Sequence, residues 1–525
     1  MTTIQLNSEL NSVGGVGDMI VHAVERHWSR PAFTCSGRTF TYAQFGQQVS
    51  QAIQFFEQIG LKPGDAVLQL SANRYEMFVL MAACYVGGYI SVTPHYAASE
   101  DDHLYVLDDC GASLVVADGL RAQRMRGFIG RSKKPFKAYS HEGNGPDAIW
   151  PAIGSCAPRP LVARDQPDAI IRLIYTGGTT GQPKGVITLS SQLAFASLLH
   201  ISEQAFSVKT RMLCASPISH GSGAFIIPVL FKGGCLVLQD GFDGDSILDG
   251  MASGDITTAF FVPTMLYTLM DNPRIGKLDL SAVTRIIYAG SPISLQRLNQ
   301  ALDIFGPILE QNFGQTEVPG TILALTPEEH FDTRANRLTS TGKPYPCVTV
   351  KLMDDNCQEI GRGKGVGEIC VRSPHATPGY WNRPELTEQL WRGGWLHTGD
   401  MARQDEDGYF HIVDRKKDMI ISGGFNIYPQ EVENALTAHP AVSSAAVIGI
   451  PHEKWGESVK AVVVLKQGSR VTGQELIDYV KKKKGSVMAP KLVEFVPSLP
   501  LTNLGKVDKK ALRAPHWEDQ QRAVS

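Results

Sequence analysis

Nine cysteines, scattered from Cys35 to Cys370 without one C-x-x-C pair, give this 525-residue chain no zinc-ribbon or dithiol redox signature. They are expected as reduced thiols of a cytoplasmic protein. No apolar run reaches the roughly 20 residues that a membrane-spanning helix needs. The start, MTTIQLNSEL, lacks the basic-then-apolar pattern of an export signal, and the end, Ala523-Val524-Ser525, lacks a peroxisomal or lipidation signal. An excess of either charge is missing too. Fifty Lys and Arg against 52 Asp and Glu leave a formal net charge of -2 with no basic stripe, which argues against nucleic acid as a partner. With 43% hydrophobic residues the chain can bury a large core, and its length suits two or three domains.

Short apolar runs recur at Asp65–Leu70, Leu114–Ala117, Ile170–Tyr175, Leu236–Leu238 and Ile286–Ala289. Most are followed by Gly, Ser or Pro and then by a helix-like stretch, as parallel strands with crossover helices are. Segments 67–92 and 212–238 share one order: strand, Ser/Pro turn, apolar helix, Gly-Gly, strand. They read as a faint repeat or as two ordinary β-α-β units. After Asp407-Gly408 a strand-like segment runs into the charged cluster Asp414–Asp418, a domain joint. Beyond it, alternating strand-like and helix-like pieces predict a compact α+β unit. The expected fold is therefore α/β, a large N-terminal domain with parallel-rich sheets (1–413), a hinge (414–418) and a small mobile α+β domain (419–525). Lys481–Lys484 reads as a solvated helix end, where cations suit the helix dipole.

The densest chemical signal is Thr176-Gly177-Gly178-Thr179-Thr180-Gly181-Gln182-Pro183-Lys184, entered from the apolar run at 170. Glycines let the backbone turn tightly and aim amides at an anion, the threonine hydroxyls add donors, and Lys184 adds charge. It is a phosphate-grasping loop, though not a Walker A loop, because Lys184 lies between Pro183 and Gly185. Gly290-Ser291-Pro292, Asn312-Phe313-Gly314-Gln315-Thr316-Glu317 and His397-Thr398-Gly399-Asp400 each set small residues beside a strand end, where α/β sheets bind ligands. Glu317 and Asp400 are their acids, suited to Mg²⁺ or ribose hydroxyls. Lys506 lies on a turn near the C-terminus, followed by a helix-like stretch from Val507.

In this order and spacing the motifs resemble the adenylate-forming superfamily of acyl-CoA synthetases, nonribosomal peptide adenylation domains and firefly-type luciferases. The pattern is most similar to bacterial fatty-acyl- or aryl-CoA ligases. The resemblance runs from Thr41-Tyr42 to about Leu512 and includes DGYFHIVDRKKDMIISGGFNIYPQEVE at 407–433. It implies ATP, Mg²⁺ and CoA as partners in a two-step ligation. Thr176 to Lys184 would hold the β- and γ-phosphates, Gly290, Ser291, Pro292 and Phe313 would frame the adenine, Asn312 and Gly314 beside Phe313 would join the ATP site, and Asp400 with Arg415 would hold the ribose. Glu317 matches the metal carboxylate, Thr316 lies beside the α-phosphate, and Lys506 matches the lysine bridging substrate carboxylate and α-phosphate. Lys417 matches the hinge, and Gly423 and Gly424 the loop lining the pantetheine tunnel. Departures are Phe313 for the usual Tyr, Gly177 for Ser, and Met488 where relatives often carry Lys.

The segment Ser216 to Gly223 has no acid to hold a substrate ammonium, so the expected substrate is a small-molecule carboxylic acid, of any size, without an α-amino group. His220 matches the gating residue of acyl- and aryl-CoA ligases. Gly221, Phe225, Val318 and Gly320 join it in an apolar acyl pocket open to aliphatic, aromatic or cyclic acids. With no carrier domain after Lys506, the expected acceptor is CoA, with a free-standing carrier protein or an amine as alternatives.

Overall fold

A computed structural model of the chain describes residues 14–176, 182–332, 337–502 and 506–517. Each apolar run of the sequence becomes a strand: Ala66–Leu70, Leu114–Ala117, Ile170–Thr176, Cys235–Leu238 and Arg285–Tyr288. Ala66–Leu70 and Leu114–Ala117 are buried throughout. Helices cover both faces of these strands, so they carry unbroken apolar runs rather than an alternation.

The strands form two parallel-rich sheets. In the first, Lys137–Ser140, Leu114–Ala117, Ala66–Leu70, Ile90–Val92 and Ile170–Thr176 lie parallel in that order, and Lys184–Leu189 closes the edge antiparallel. The second has nine strands, parallel from Pro31–Cys35 to Leu309–Gln315 and antiparallel at both edges. The two similar segments are both β-α-β units with adjacent parallel strands, one in each sheet. Their helices give way to Gly88 and Gly233 at φ 75° and 78°, a conformation that favours glycine.

A third sheet was not foreseen. Its six strands, between Thr349–Met353 and Phe410–Arg415, are antiparallel throughout. The last sheet has five strands from Ile420–Ser422 onward and carries the helices Pro429–Thr437, Gly473–Lys484 and Lys509–Trp517, the expected α+β unit. Thr472 and Glu475 cap the second helix, and its basic last turn ends at Gly485. The final helix starts at Lys509 rather than Val507. Val507 instead bridges to Leu501, and Thr502 N donates to Lys506 O at 2.7 Å, so Lys506 and Val507 pair with the preceding segment before the helix begins. Among the described residues no helix is long and apolar enough to cross a membrane.

Gly342 joins the nine-stranded sheet to the third sheet. Its carbonyl accepts from Phe410 N at 2.9 Å, its φ is 93°, and a Cβ there would lie 1.7 Å from the carbonyl oxygen of Ala324. Gly342→Ala should therefore destabilise the fold by more than the roughly 1–3 kcal/mol of backbone strain alone, read as a lowered thermal midpoint. An unchanged midpoint would contradict this packing.

Candidate active site

The antiparallel pair Ile170–Thr176 and Lys184–Leu189 sets Thr176 opposite Lys184 at one sheet end. Gly177, Gly178, Thr179, Thr180 and Gly181 lie outside the described residues. Lys184 Nζ stands 4.8 Å from the centre of the Tyr380 ring, and Tyr380 Oη donates to Glu317 Oε1 at 2.8 Å. Thr316 and Glu317 form the turn between the strands Leu309–Gln315 and Val318–Leu325, and Thr377 N donates to the Glu317 carbonyl at 2.8 Å. Tyr380 thus connects the loop lysine to the acid. Sequence reasoning passed over it, although Gly379-Tyr380-Trp381-Asn382 is a dense aromatic turn of the kind that positions a ligand.

Asp400 and Arg415 face each other across an antiparallel pair, Arg415 Nε 2.5 Å from Asp400 Oδ1. Gln315 Nε2 donates to the other carboxylate oxygen and, at 2.8 Å, to Thr398 O. Burial pushes the Asp400 carboxyl up, while Arg415, Gln315, Lys506 and Lys417 pull it down. Lys506 reaches the same place from the C-terminal unit. Its Cε lies 3.8 Å from where a Cβ on Gly290 would stand, and Gly290 itself holds φ 92°. Burial lowers the Lys506 ammonium below the ordinary lysine value, helped by Arg415 and Lys417 and opposed by Asp400. Ser291 and Pro292 follow Gly290 beyond the strand Arg285–Tyr288.

Asn312 does not present its side chain here. It is buried, and its amide, oriented to satisfy its neighbours, donates to Tyr345 Oη and Glu310 Oε1, both at 3.0 Å. Phe313 packs half-buried against the cluster that holds Val318 and Ile322. A Cβ on Gly314 would come 2.6 Å from the backbone of Gly320, so the two glycines lie back to back.

The surroundings of Gly221 and Gly320 are equally tight. A Cβ on Gly221 would meet the Phe260 ring at 2.6 Å, and one on Gly320, at φ 70°, would meet His200 Nε2 at 2.9 Å. Phe225 packs on both Phe260 and His200, with ring centres 5.3 and 4.8 Å apart, and Val318 is fully buried. His220 bonds Ser219 Oγ through Nδ1 at 2.8 Å and faces the His95 ring edge-on at 5.6 Å. Burial, with His95, Arg172 and Lys506 nearby, brings His220 down to about 4, so its imidazole is neutral at neutral pH.

Lys417 sits in a single turn, Lys416–Asp418, between the third and last sheets. On one side Lys416 Nζ pairs with Asp355 at 2.6 Å and Glu368 at 3.4 Å. On the other, Asp418 pairs with Arg513 at 2.8 Å, and Asp414 Oδ2 accepts Gln430 N at 2.8 Å in the first turn of the helix Pro429–Thr437. Burial raises the Asp414 carboxyl to about 6 despite Lys509 beside it. Gly423 and Gly424 make the hairpin turn between Ile420–Ser422 and Phe425–Ile427, with φ 59° and 84°. Their Cβ positions meet only Trp455 or nothing within 4 Å. Glu368, Cys370 and His397 also converge as a metal-type trio. Arg392 Nη2 lies 3.1 Å from His397 Nδ1 and shares Glu368 with Lys416, so cations of the chain already occupy these acceptors.

Residues 20–381 match the family described as AMP-binding enzyme, and 431–506 match the AMP-binding enzyme C-terminal domain. The chain is 41% identical to the medium/long-chain-fatty-acid–CoA ligase FadD8 of Mycobacterium tuberculosis, over 97% of this chain and 91% of that protein. It is 33% identical to a feruloyl-CoA synthase of an Amycolatopsis species, over 95% and 98%. Among solved structures, the amide bond synthetase McbA of Marinactinospora thermotolerans superposes with a TM-score of 0.87 at 32% identity, covering 96% of this chain and all of that one.

Proposed function

The chain belongs to the AMP-binding enzyme family, and we propose that it activates a carboxylic acid with ATP and passes the acyl group to CoA. The observation that carries this reading is Lys506, delivered from the last sheet's domain to Asp400, Arg415 and Gly290. A carboxylate oxygen attacks the α-phosphorus of ATP. The bond to the β-phosphate oxygen breaks, pyrophosphate leaves, and a mixed anhydride with AMP remains. Negative charge grows on the α-phosphate and leaving group, where Lys506 and Lys184 supply cations held in place beforehand. Preorganised donors of this kind are worth about 3 kcal/mol each.

Asp400, fixed by Gln315 and Arg415, presents acceptors to the ribose hydroxyls, and Gly290 to Pro292 with Phe313 frame the adenine. Glu317 fits a hard cation in chemistry: one carboxylate, oriented by Tyr380, beside a phosphate loop, which suits Mg²⁺ shared with phosphates. Bound there, Mg²⁺ would neutralise charge on the leaving pyrophosphate.

In the second step the CoA sulfur attacks the acyl carbon, the thiol proton leaves, and AMP departs. Lys506 lies beside Gly290 and Asp400 in this arrangement, and a tunnel for a long pantetheine arm past Gly423 and Gly424 calls for a second one. The domains divide as 1–413 and 419–525, turning at 414–418 around Lys417. The acid lacks an α-amino group, because the wall from Ser216 to Gly223 offers no carboxylate. Two relatives named as CoA ligase and synthase favour the thiol acceptor. The likeness to an amide bond synthetase keeps an amine acceptor as the second reading.

The purified protein should exchange pyrophosphate into ATP only with an acid and Mg²⁺ present, releasing AMP. Glu317→Ala should lower exchange by roughly 10²-fold or more. Undiminished exchange in that variant, or ADP as product, would overturn the reading. For the hinge, Lys417→Pro fixes φ and removes an amide. It should keep exchange within a few-fold of wild type while losing most acyl-CoA formation. Equal loss of both half-reactions would place the pivot elsewhere.

A further inference from the structure

Asp400, the acid assigned to the ribose, stands on a bulge that a second acid holds in shape. Across the antiparallel strands Val366–Arg372 and Trp395–Gln404, Glu368 pairs with Met401 and Cys370 with His397. Between those pairs the first strand has one residue, Ile369, and the second has three, Thr398, Gly399 and Asp400. Extra residues on one strand make a bulge, and bulges beside active sites re-aim a side chain. Here that side chain is Asp400.

The bulge is tied at two points. Thr398 Oγ1 donates to Ile369 O at 2.7 Å and accepts Asp400 N at 3.1 Å. Gly399, at φ 72° in the region that favours glycine, sends its amide to a side chain, and Glu368 Oε1 accepts it at 2.9 Å. Glu368 is 4% exposed. Its other oxygen lies 3.0 Å from His397 Nδ1 and 3.4 Å from both Lys416 Nζ and Arg392 Nη2. These contacts fix the carboxylate, so its first oxygen stays on the Gly399 amide. Gly399 N, Lys416 Nζ and Arg392 Nη2 are all donors, and the two oxygens of a carboxylate satisfy both sides. A glutamine of the same shape has one oxygen and one NH2, so it must turn a donor toward a donor on one side.

We propose that Glu368 is a positioning residue for the nucleotide: through the Gly399 amide it fixes the bulge that aims the Asp400 carboxylate at the ribose hydroxyls. It acts through Gly399 and Asp400 rather than on the nucleotide itself. The proposal rests on the adenylation reading, which assigns Asp400 to the ribose.

The test is acid-dependent pyrophosphate exchange with ATP, 2′-deoxy-ATP and 3′-deoxy-ATP. Wild type should favour ATP over at least one deoxynucleotide by about tenfold or more in kcat/KM, because a site built to bond a hydroxyl rejects the analogue that lacks it. Glu368→Gln should shrink that preference to about threefold or less, through a higher KM for ATP, while the KM for the acid stays near its wild-type value. Thr398→Val, which cuts the other tie of the bulge, should lower the preference in the same direction and stands in if Glu368→Gln fails to fold. A Glu368→Gln enzyme that keeps the wild-type preference and is slowed alike with all three nucleotides overturns the proposal, leaving Glu368 a brace of the sheet. A wild type that does not distinguish the three nucleotides overturns it too. The same preference can be read without turnover, as the rise in thermal midpoint that each nucleotide gives. A protein that shows it there, and loses it in Glu368→Gln, but exchanges with no acid upholds the role of Glu368 and overturns the adenylation reading.

Discussion

One buried ammonium organises this molecule. Lys506 belongs to the C-terminal unit, yet it is surrounded by Gly290, Asp400 and Arg415 from elsewhere in the chain. An unpaired ammonium taken out of water is strongly penalised. Its seat therefore depends on the Asp400 carboxylate, which opposes the burial and the neighbouring cations Arg415 and Lys417. That constraint explains why Asp400 is held by Gln315 and Arg415 together, and why the joint between the domains carries so many charges.

The joint itself is a set of short polar contacts rather than an apolar seam. Asp414 on the N-terminal side holds the first turn of the helix Pro429–Thr437, Lys416 holds Asp355 and Glu368, and Asp418 holds Arg513. Hydrogen bonds and ion pairs of this kind can exchange partners without exposing a core. On the proposed reading, in which the C-terminal unit moves between two seats, such contacts are what the joint needs, whereas a large apolar interface would fix one arrangement.

Much of this was legible in the sequence because the pieces are local. Parallel strands buried on both faces appear as apolar runs, as Ala66–Leu70 and Leu114–Ala117 do. The third sheet was not legible, since strands such as Val366–Arg372 and Trp395–Gln404 break their apolar stretches with Gly, Glu, His and Asp. Tyr380 and Gln315 were missed for another reason. Their roles depend on pairing across long separations, Tyr380 with Glu317 and Gln315 with Asp400. Asn312 shows the converse: it lies within a recognisable motif, but its side chain turns into the core toward Tyr345 and Glu310.

The central claim is that Lys506 serves acid activation and is dispensable for the transfer that follows. The most direct measurement gives Lys506→Ala both half-reactions separately: pyrophosphate exchange with an accepted acid, and conversion of the corresponding supplied acyl-adenylate to the acyl-CoA. The account predicts exchange lowered by roughly 10²–10³-fold, the loss expected of one transition-state donor, with transfer from the supplied adenylate retained. Normal exchange in Lys506→Ala would make Lys506 a bystander and contradict the account.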